Sequence, residues 1–327
     1  MIDLPLLKIL SDGKFPSGTD LGNSLNMSRS AIWKQMKDLQ EHGVEVYSVR
    51  GRGYRLPKGL DLLDQSKIAR LLSAQSKKEI QHIELQTITD STNLMALRNI
   101  NERRHGALYL TEYQNAGRGR RGRAWVGGLA SNLYFSLMWR FSGGAAALEG
   151  LSLLVGLSVV QGLTQLGVNN TQLKWPNDLL HQGKKFAGIL LEMQGDASGD
   201  ISVVIGVGLN VAMKVDQFND QIEQPWTDIE TICDRAIDRN KLLATIINQL
   251  VINLHQFNEQ RFLPFKELWE QHHVYQDSFV RLLMGDKEIE GICRGVNEQG
   301  ALLLERYGKV EVYHGGEISL RPIVSET

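Results

Sequence analysis

The stretch ALYLTEYQNAGRGRRGRAW, residues 107–125, decides the reading of this chain. Its first seven residues read as a strand. The loop that follows runs Gln114-Asn115-Ala116-Gly117-Arg118-Gly119-Arg120-Arg121-Gly122-Arg123-Ala124-Trp125. Gly117, Gly119 and Gly122 formally satisfy GxGxxG, but a dinucleotide site needs a helix next. The next apolar run, residues 133–141, is another strand, and no Walker A sequence occurs in the chain. What the loop offers is closely approaching backbone N–H groups and four guanidinium side chains. Glycines let such a backbone wrap an anion, and arginines bind carboxylate or phosphate through paired hydrogen bonds. A solvated basic loop or an RNA-binding RGG segment would use the same residues. The single-copy, strand-bounded setting favours the anion.

Three other segments carry groups that suit the same ligand. Asp90-Ser91-Thr92-Asn93 opens a helix after a strand over 83–88, where short hydroxyl and amide side chains cap helices and also donate to polar ligands. Lys174-Trp175-Pro176-Asn177-Asp178 ends a strand abruptly and combines a cation, a stacking surface and a metal-capable carboxylate. Lys185 enters a strand over 186–193 just after a turn at Gly183. Singly these are a helix cap, a turn and a strand-edge lysine. Their joint presence with the arginine loop points to a site for an anion.

Outward from that region, 327 residues are too many for one ordinary core, and two or three domains are expected. Apolar residues make up 42% and charged residues 22%, which fits globular domains rather than disorder. The net charge of -1 exerts no global pull on nucleic acid, so any DNA contact must come from a local patch. Cys233 and Cys293 share no metal-ligand spacing and read as reduced cytosolic thiols. No basic-then-apolar signal pattern opens the chain, and the expected location is cytoplasmic. Residues 151–168 form the most apolar run, but Gln161 and Gln165 interrupt it. A buried core helix is expected there, not a membrane span.

Residues 1–60 hold nine Lys/Arg against six Asp/Glu, a local excess of positive charge. A short apolar helix ends at Asp12-Gly13, Ser17 precedes a second with Leu21 and Leu25 on one face, and Asn26-Met27 turns the chain. Ser28 caps a third helix in which Ile32, Met36 and Leu39 face the core. The opposite face shows Arg29, Ser30, Trp33, Lys34 and Lys37, as in a helix-turn-helix. An alternating run over 44–49, the turn Arg50-Gly51-Arg52-Gly53 and the return Tyr54-Arg55-Leu56 make a basic wing. DNA is the expected partner, through phosphates first and base edges second, with a dimer on two half-sites supplying specificity. At the other end, residues 278–322 alternate as short strands around turns at Gly285-Asp286, 297–300 and Gly315-Gly316, a small antiparallel barrel.

DSTN (90–93), EYQNAGRGRRGRAW (112–125), KWPNDL (174–179), KKFAGILLE (184–192) and IGVGLNV (205–211) follow one another behind this winged helix. In their order and spacing the chain resembles the bifunctional biotin protein ligase and biotin operon repressor family over essentially its full length. The resemblance implies an α+β multidomain fold. Its parts are a winged helix-turn-helix over 1–63, a central mixed sheet with helices of the biotin/lipoate ligase and class II synthetase type over 64–273, and an SH3-like β-barrel over 274–327. After Trp125 the family's usual Ser-Pro pair is replaced by Val126-Gly127-Gly128, so the resemblance does not give the path of the loop there.

The same resemblance implies that a biotin carboxylate attacks the α-phosphate of ATP, and that a lysine of the biotin carboxyl carrier protein of acetyl-CoA carboxylase then takes biotin from biotinyl-5′-AMP. By motif, Ser91, Thr92, Asn93, Gln114, Gly117, Gly119 and Gly188 would bind biotin. Arg118, Arg120 and Lys185 would join them as the catalytic group, the KFAG register selecting Lys185 over Lys184. Arg120, Arg121, Lys174, Asn177, Asp178, Asn210, Trp226 and Arg321 would bind ATP, with Glu317 nearby and Asp178 reaching Mg2+ through the triphosphate. Trp226 would come from a loop that orders on binding. As a repressor, the chain would form a ligand-dependent homodimer beside an apolar edge at Ile189-Leu190-Leu191, with biotinyl-5′-AMP as corepressor on operator DNA. A biotin sensor that has lost catalysis and a lipoate ligase are the alternatives.

Overall fold

The computed structural model describes residues 4–11, 15–49, 52–56, 59–102, 105–195, 199–213, 218, 220–315 and 318–322. Asp12-Gly13, Arg50-Gly51, Gly316 and Glu317 lie outside the described residues.

The N-terminal unit follows its caps. Helices α1 (Leu4–Ser11), α2 (Gly18–Leu25) and α3 (Arg29–Glu41) bury Leu6, Leu7, Leu10, Leu21, Ile32, Met36 and Leu39 together. The Ser17 hydroxyl accepts from the Asp20 N–H at 3.0 Å, and Asp20 bonds back to the Ser17 N–H, a reciprocal cap. Asn26 closes α2 in the left-handed region at φ 51°, and the Ser28 hydroxyl accepts from the Ala31 N–H at 3.2 Å. Each cap of this kind contributes about 1 kcal/mol. Strands β1 (Tyr47–Val49) and β2 (Gly53–Arg55) pair antiparallel as the wing. The pairing starts later than the alternation from 44 suggested, because Val44 and Val46 are buried in the three-helix core first.

The central unit is a seven-stranded sheet. Its strands are β3 (His82–Thr89), β4 (Ala107–Gln114), β5 (Asn132–Phe141), β6 (Gln172–Lys174), β7 (Asp178–His181), β8 (Lys184–Gly195) and β9 (Ile201–Asn210). They lie in the order β3-β4-β5-β9-β8-β7-β6. Helix α6 (Thr92–Arg98) crosses between β3 and β4 and makes that pair parallel, whereas every other neighbouring pair is antiparallel. Helix α7 (Leu151–Gln165) is buried against the sheet and the long helix α9 (Arg239–Gln260), which explains an apolar run without a polar face. The polar residues interrupting it are paired: the Asn253 amide donates to Gln161 at 2.7 Å, and Gln165 donates to Gln249 at 2.8 Å. The remaining helices are α4 (Gln65–Leu71), α5 (Ala74–Glu79), α8 (Ile229–Cys233) and α10 (Lys266–Gln271).

The C-terminal strands β10 (Phe279–Met284), β11 (Lys287–Val296), β12 (Leu302–Arg306), β13 (Lys309–Tyr313) and β14 (Ile318–Pro322) form a five-stranded antiparallel sheet ordered β13-β12-β11-β10-β14. Its core residues Val280, Leu282, Cys293, Leu302 and Leu320 continue the core of the central unit. Both cysteines are free thiols, as expected.

The segment joining winged helix to sheet is gripped rather than loose. Arg239 at the start of α9 pairs with Glu112 of β4 at 2.8 Å, each about 1–2% exposed at its side chain. Arg239 also donates to the Asp61 and Asn132 carbonyls, while Glu112 accepts the Leu63 N–H at 2.5 Å. Asn240 takes the Asp64 N–H at 2.7 Å and donates to the Leu62 carbonyl at 2.9 Å. Removing one member of such a pair leaves an uncompensated buried charge, which costs roughly 3–5 kcal/mol. Glu112→Ala is therefore expected to lower unfolding stability by about 3 kcal/mol in urea titration, and a loss under 1 kcal/mol would contradict the clamp.

Candidate active site

A cleft of about 590 Å3 opens at one end of the central sheet, where β3, β4 and β9 end and β8 begins. That volume lies within the usual range of small-molecule sites. Four of the sequence segments singled out above meet there: Ser91, Thr92 and Asn93; Gln114 with the arginine loop; Lys174–Asp178; and Lys185 with Gly188.

On one wall, the Thr92 N–H and hydroxyl approach Gln114 Oε1 at 2.8 and 3.3 Å. Gln114 thus caps α6, a task expected of the Asp90–Asn93 segment; the Ser91 side chain makes no capping bond, and Ser91 lines the cleft instead. Asn93 differs from expectation. Its amide donates to the Leu190 carbonyl and to Glu192 at 3.2 and 2.8 Å, and its oxygen accepts from Ser136 at 2.6 Å. Both ends are bonded to the protein, so Asn93 braces the wall that it also lines.

The arginine loop is a closed structure. Trp125 N–H donates to the Gly117 carbonyl at 2.9 Å, and Gly119 N–H to the Arg123 carbonyl at 2.7 Å. Trp125 lies across Gly188 and Gly208, where an added Cβ would meet its ring at 2.8 and 2.7 Å. Its indole N–H is buried without a partner among the described residues. After Trp125, Gly127 is forced: a Cβ there would sit 2.1 Å from the Tyr134 hydroxyl. Leu129 and Ala130 then bury themselves in the winged-helix core, and Leu129 N–H donates to the His42 carbonyl at 3.1 Å. This is the path the sequence left open.

The charged centre is built around Asp178. Lys185 Nζ lies 2.5 Å and Lys174 Nζ 3.8 Å from its oxygens. Burial alone would raise the Asp178 carboxyl, but the ammonium groups of Lys185 and Lys174, the Lys185 hydrogen bond and the Arg120 charge outweigh it and hold it below the usual carboxylate range. Burial pulls the Lys174 ammonium down to about 8, with Asp178 opposing and Arg321, Lys185 and Arg123 assisting. Arg120 donates to Asn177 at 2.9 Å and to the Ile318 carbonyl of β14 at 3.3 Å, bringing the C-terminal sheet into the site. Arg121, exposed at φ 59°, and Arg321 line the cleft as expected.

Other expectations require correction. The Arg118 guanidinium is turned to Glu192 at 2.8 and 2.9 Å and does not join Lys185 and Arg120 at the charged centre. Trp175 is not a free stacking surface: it is about 1% exposed, and its indole donates to the Gly300 carbonyl at 3.1 Å. Asn210 is engaged with the Thr227 carbonyl at 3.1 Å and with the Asn132 amide at 3.4 Å, although it still lines the cleft. Trp226 belongs to a segment zipped onto Lys185, with Lys185 N–H on the Pro225 carbonyl at 2.9 Å and Thr227 N–H on the Lys185 carbonyl at 3.0 Å. The strand edge at Ile189-Leu190-Leu191 is not an exposed apolar strip: Ile189 is buried, the two leucines are half-buried, and an exposed apolar side chain comes only further on, at Met193.

Comparison with known proteins gives the same picture. Residues 84–210 match the biotin/lipoate A/B protein ligase family, residues 4–55 an HTH domain, and residues 279–321 the biotin protein ligase C-terminal domain. The chain is 41% identical to the bifunctional ligase/repressor BirA of Salmonella typhimurium over 320 residues, 98% of each. It is 32% identical to the protein of that name from Bacillus spizizenii, covering 97% of this chain and 98% of the relative. The chain belongs to the bifunctional biotin ligase/repressor family. The Aquifex aeolicus biotin protein ligase in complex with biotin and ATP superposes with a TM-score of 0.64 at 29% identity, covering 74% of this chain and all of that one.

The sequence did not single out Trp125 as a wall of this cleft, Glu192 and Ser136 bonded to Arg118 and Asn93 beside it, or Ile318 and Ser319 at the far rim. The alternating glycines Gly206 and Gly208 were the available signal, since glycine inside a strand marks close approach of another group. On the winged helix of the ligase/repressor, Arg29, Ser30, Trp33, Lys34, Lys37 and Arg52 are all exposed, Trp33 to 60%. Arg50 lies outside the described residues.

Because the Lys174 ammonium is pulled down to about 8, its charge is present below that pH and lost above it. The ratio of wild-type to Lys174→Arg affinity for a nucleoside triphosphate, which cancels the ligand's own titration, is expected to fall severalfold between pH 7 and pH 9 in calorimetric titrations. A flat ratio would mean Lys174 does not face the phosphates.

Proposed function

We propose that the cleft adenylates biotin and passes it to a carrier-protein lysine in the cytoplasm, with residues 1–63, 64–273 and 274–327 as working units. The observation that carries this reading is the convergence of Lys185, Lys174 and Arg120 on Asp178 beside the Thr92–Gln114 wall. A carboxylate attacking a polyphosphate must approach like charge, and fixed cations lower that barrier where charge develops. The biotin ring lies against Ser91, Thr92 and Gln114, and its tail runs along the cleft toward Lys185. A carboxylate oxygen bonds to the α-phosphorus as the bond to pyrophosphate breaks, with Lys185 and Arg120 holding the developing charge and Lys174, Arg121 and Arg321 the leaving group. A deprotonated carrier lysine then attacks the acyl carbon and AMP leaves. Trp226 supplies a face for adenine.

Mg2+ takes one or two carboxylates plus phosphate oxygens rather than a protein cage. That suits Asp178, and among the described residues no group of three His, Cys, Asp or Glu side chains converges on a point. Asp178 would hold the ion, which would supply charge neutralisation on the triphosphate.

The DNA reading rests on the basic α3 face and wing, with the operator as partner and the activated biotin as corepressor. Pairing of two chains would use the end of β8 beyond Ile189, where β7 no longer covers it. Sedimentation with and without biotin plus ATP tests this: ligand-dependent dimers are expected, and a dimer of constant strength would refute the control logic.

The enzymatic reading is tested by ATP–pyrophosphate exchange with biotin, lipoate or no acid. Exchange with biotin alone is expected. Exchange with lipoate instead would make the chain a lipoate ligase, and none from folded protein would make it a sensor without catalysis.

A further inference from the structure

The carboxylate of Glu192 has no place in the chemistry above, yet it joins the two halves of the biotin wall. On one side it takes both hydrogen bonds of Arg118, at 2.8 and 2.9 Å, and so fixes the arginine loop. On the other it accepts from the Asn93 amide at 2.8 Å. From Asn93 the chain of bonds continues to Ser136 at 2.6 Å, from Ser136 to Thr92 at 2.8 Å, and from Thr92 to Gln114. Asn93 and Ser136 are buried, so the chain runs behind the cleft and leaves the Ser91 hydroxyl and the Lys185 ammonium free of it. The loop is also tied down at its start by the Asn115 and Ala116 N–H groups on the Thr89 and Asp90 carbonyls, in its middle by Arg120 on Asn177, and at its end by Trp125 over the glycine floor.

We propose that Glu192 is a positioning residue for biotin retention: through Arg118 it latches the arginine loop to the hydrogen-bonded wall that receives the biotin ring. The inference rests on the biotin-ligase reading. The latch is charge-assisted, because a guanidinium faces a carboxylate, and such bonds are roughly twice as strong as neutral ones. Glutamine at 192 keeps an acceptor for Asn93 and removes the charge that Arg118 follows. Loop opening then becomes easier while the reacting groups stay in place. The expected result is a loss of affinity and retention larger than the loss of maximal rate.

The test compares wild type, Glu192→Gln, Arg118→Gln and the double variant in biotin-dependent pyrophosphate exchange and in dissociation of preformed adenylate. Glu192→Gln is expected to raise the KM for biotin and the adenylate dissociation rate about tenfold, the order for one charge-assisted hydrogen bond, with maximal exchange moving less. The double variant is expected to match the single ones, because they remove one interaction. Glu192→Asp, too short to span both partners, should reproduce the retention defect if the Gln variant does not fold. Wild-type KM and dissociation rate in a folded Glu192 variant would overturn the proposal while leaving the ligase reading intact. Additive losses in the double variant would overturn it as well. Absence of exchange from wild type would remove the ligase reading, and the proposal with it.

Discussion

One carboxylate organises the charged end of this molecule. Asp178 sits where β7 begins, and Lys185, Lys174 and Arg120 are held around it at close range. Cations packed this closely repel one another, and Asp178 supplies the counter-charge that offsets the repulsion and aims both lysines into one cleft. The rest of the structure serves that arrangement. The antiparallel pair β7–β8 sets Lys185 opposite Leu180, the β6–β7 turn sets Lys174 opposite Asp178, and β14 receives Arg120 from the loop.

Much of this was legible in the chain. Glycine-spaced arginines bounded by strands indicated an anion loop, and the caps at Ser17 and Ser28 marked the helices of the winged domain. The KFAG register of the resemblance selected Lys185 over Lys184, and in the structure Lys185 lines the cleft while Lys184 is exposed. What the sequence did not show has a common physical cause. Asn93 and Asn210, read by motif as ligand contacts, and Trp175, read as a stacking surface, are buried deeply enough that their polar groups are matched within the protein. Arg118 illustrates the complementary case. Its partner Glu192 lies 74 positions away in sequence, so nothing local distinguishes it from Arg120.

Among the contacts that join the winged domain to the sheet are two that sequence could not reveal. The clamp of Arg239 and Glu112 fixes residues 61–63, and Leu129 with Ala130 extends the stretch after Trp125 into the winged-helix core. Glu112 stands two positions before Gln114 on β4, and Leu129 four positions after Trp125. The DNA-reading unit and the ligand wall therefore rest on the same strand and the same loop. Val126-Gly127-Gly128 forms this junction, with Gly127 required by the approach of Tyr134 and Asn132.

The central claim is that Lys185 and Asp178 act as one unit in activating the acid. A double-mutant cycle on biotin-dependent adenylate formation tests it, using Lys185→Gln, Asp178→Asn and the two together. Loss of Lys185 should slow formation by roughly 10²–10³, as for other donors aimed at a developing charge, and the double variant should be scarcely slower than Lys185→Gln alone. Losses that multiply independently would contradict the account and assign Asp178 a role apart from Lys185.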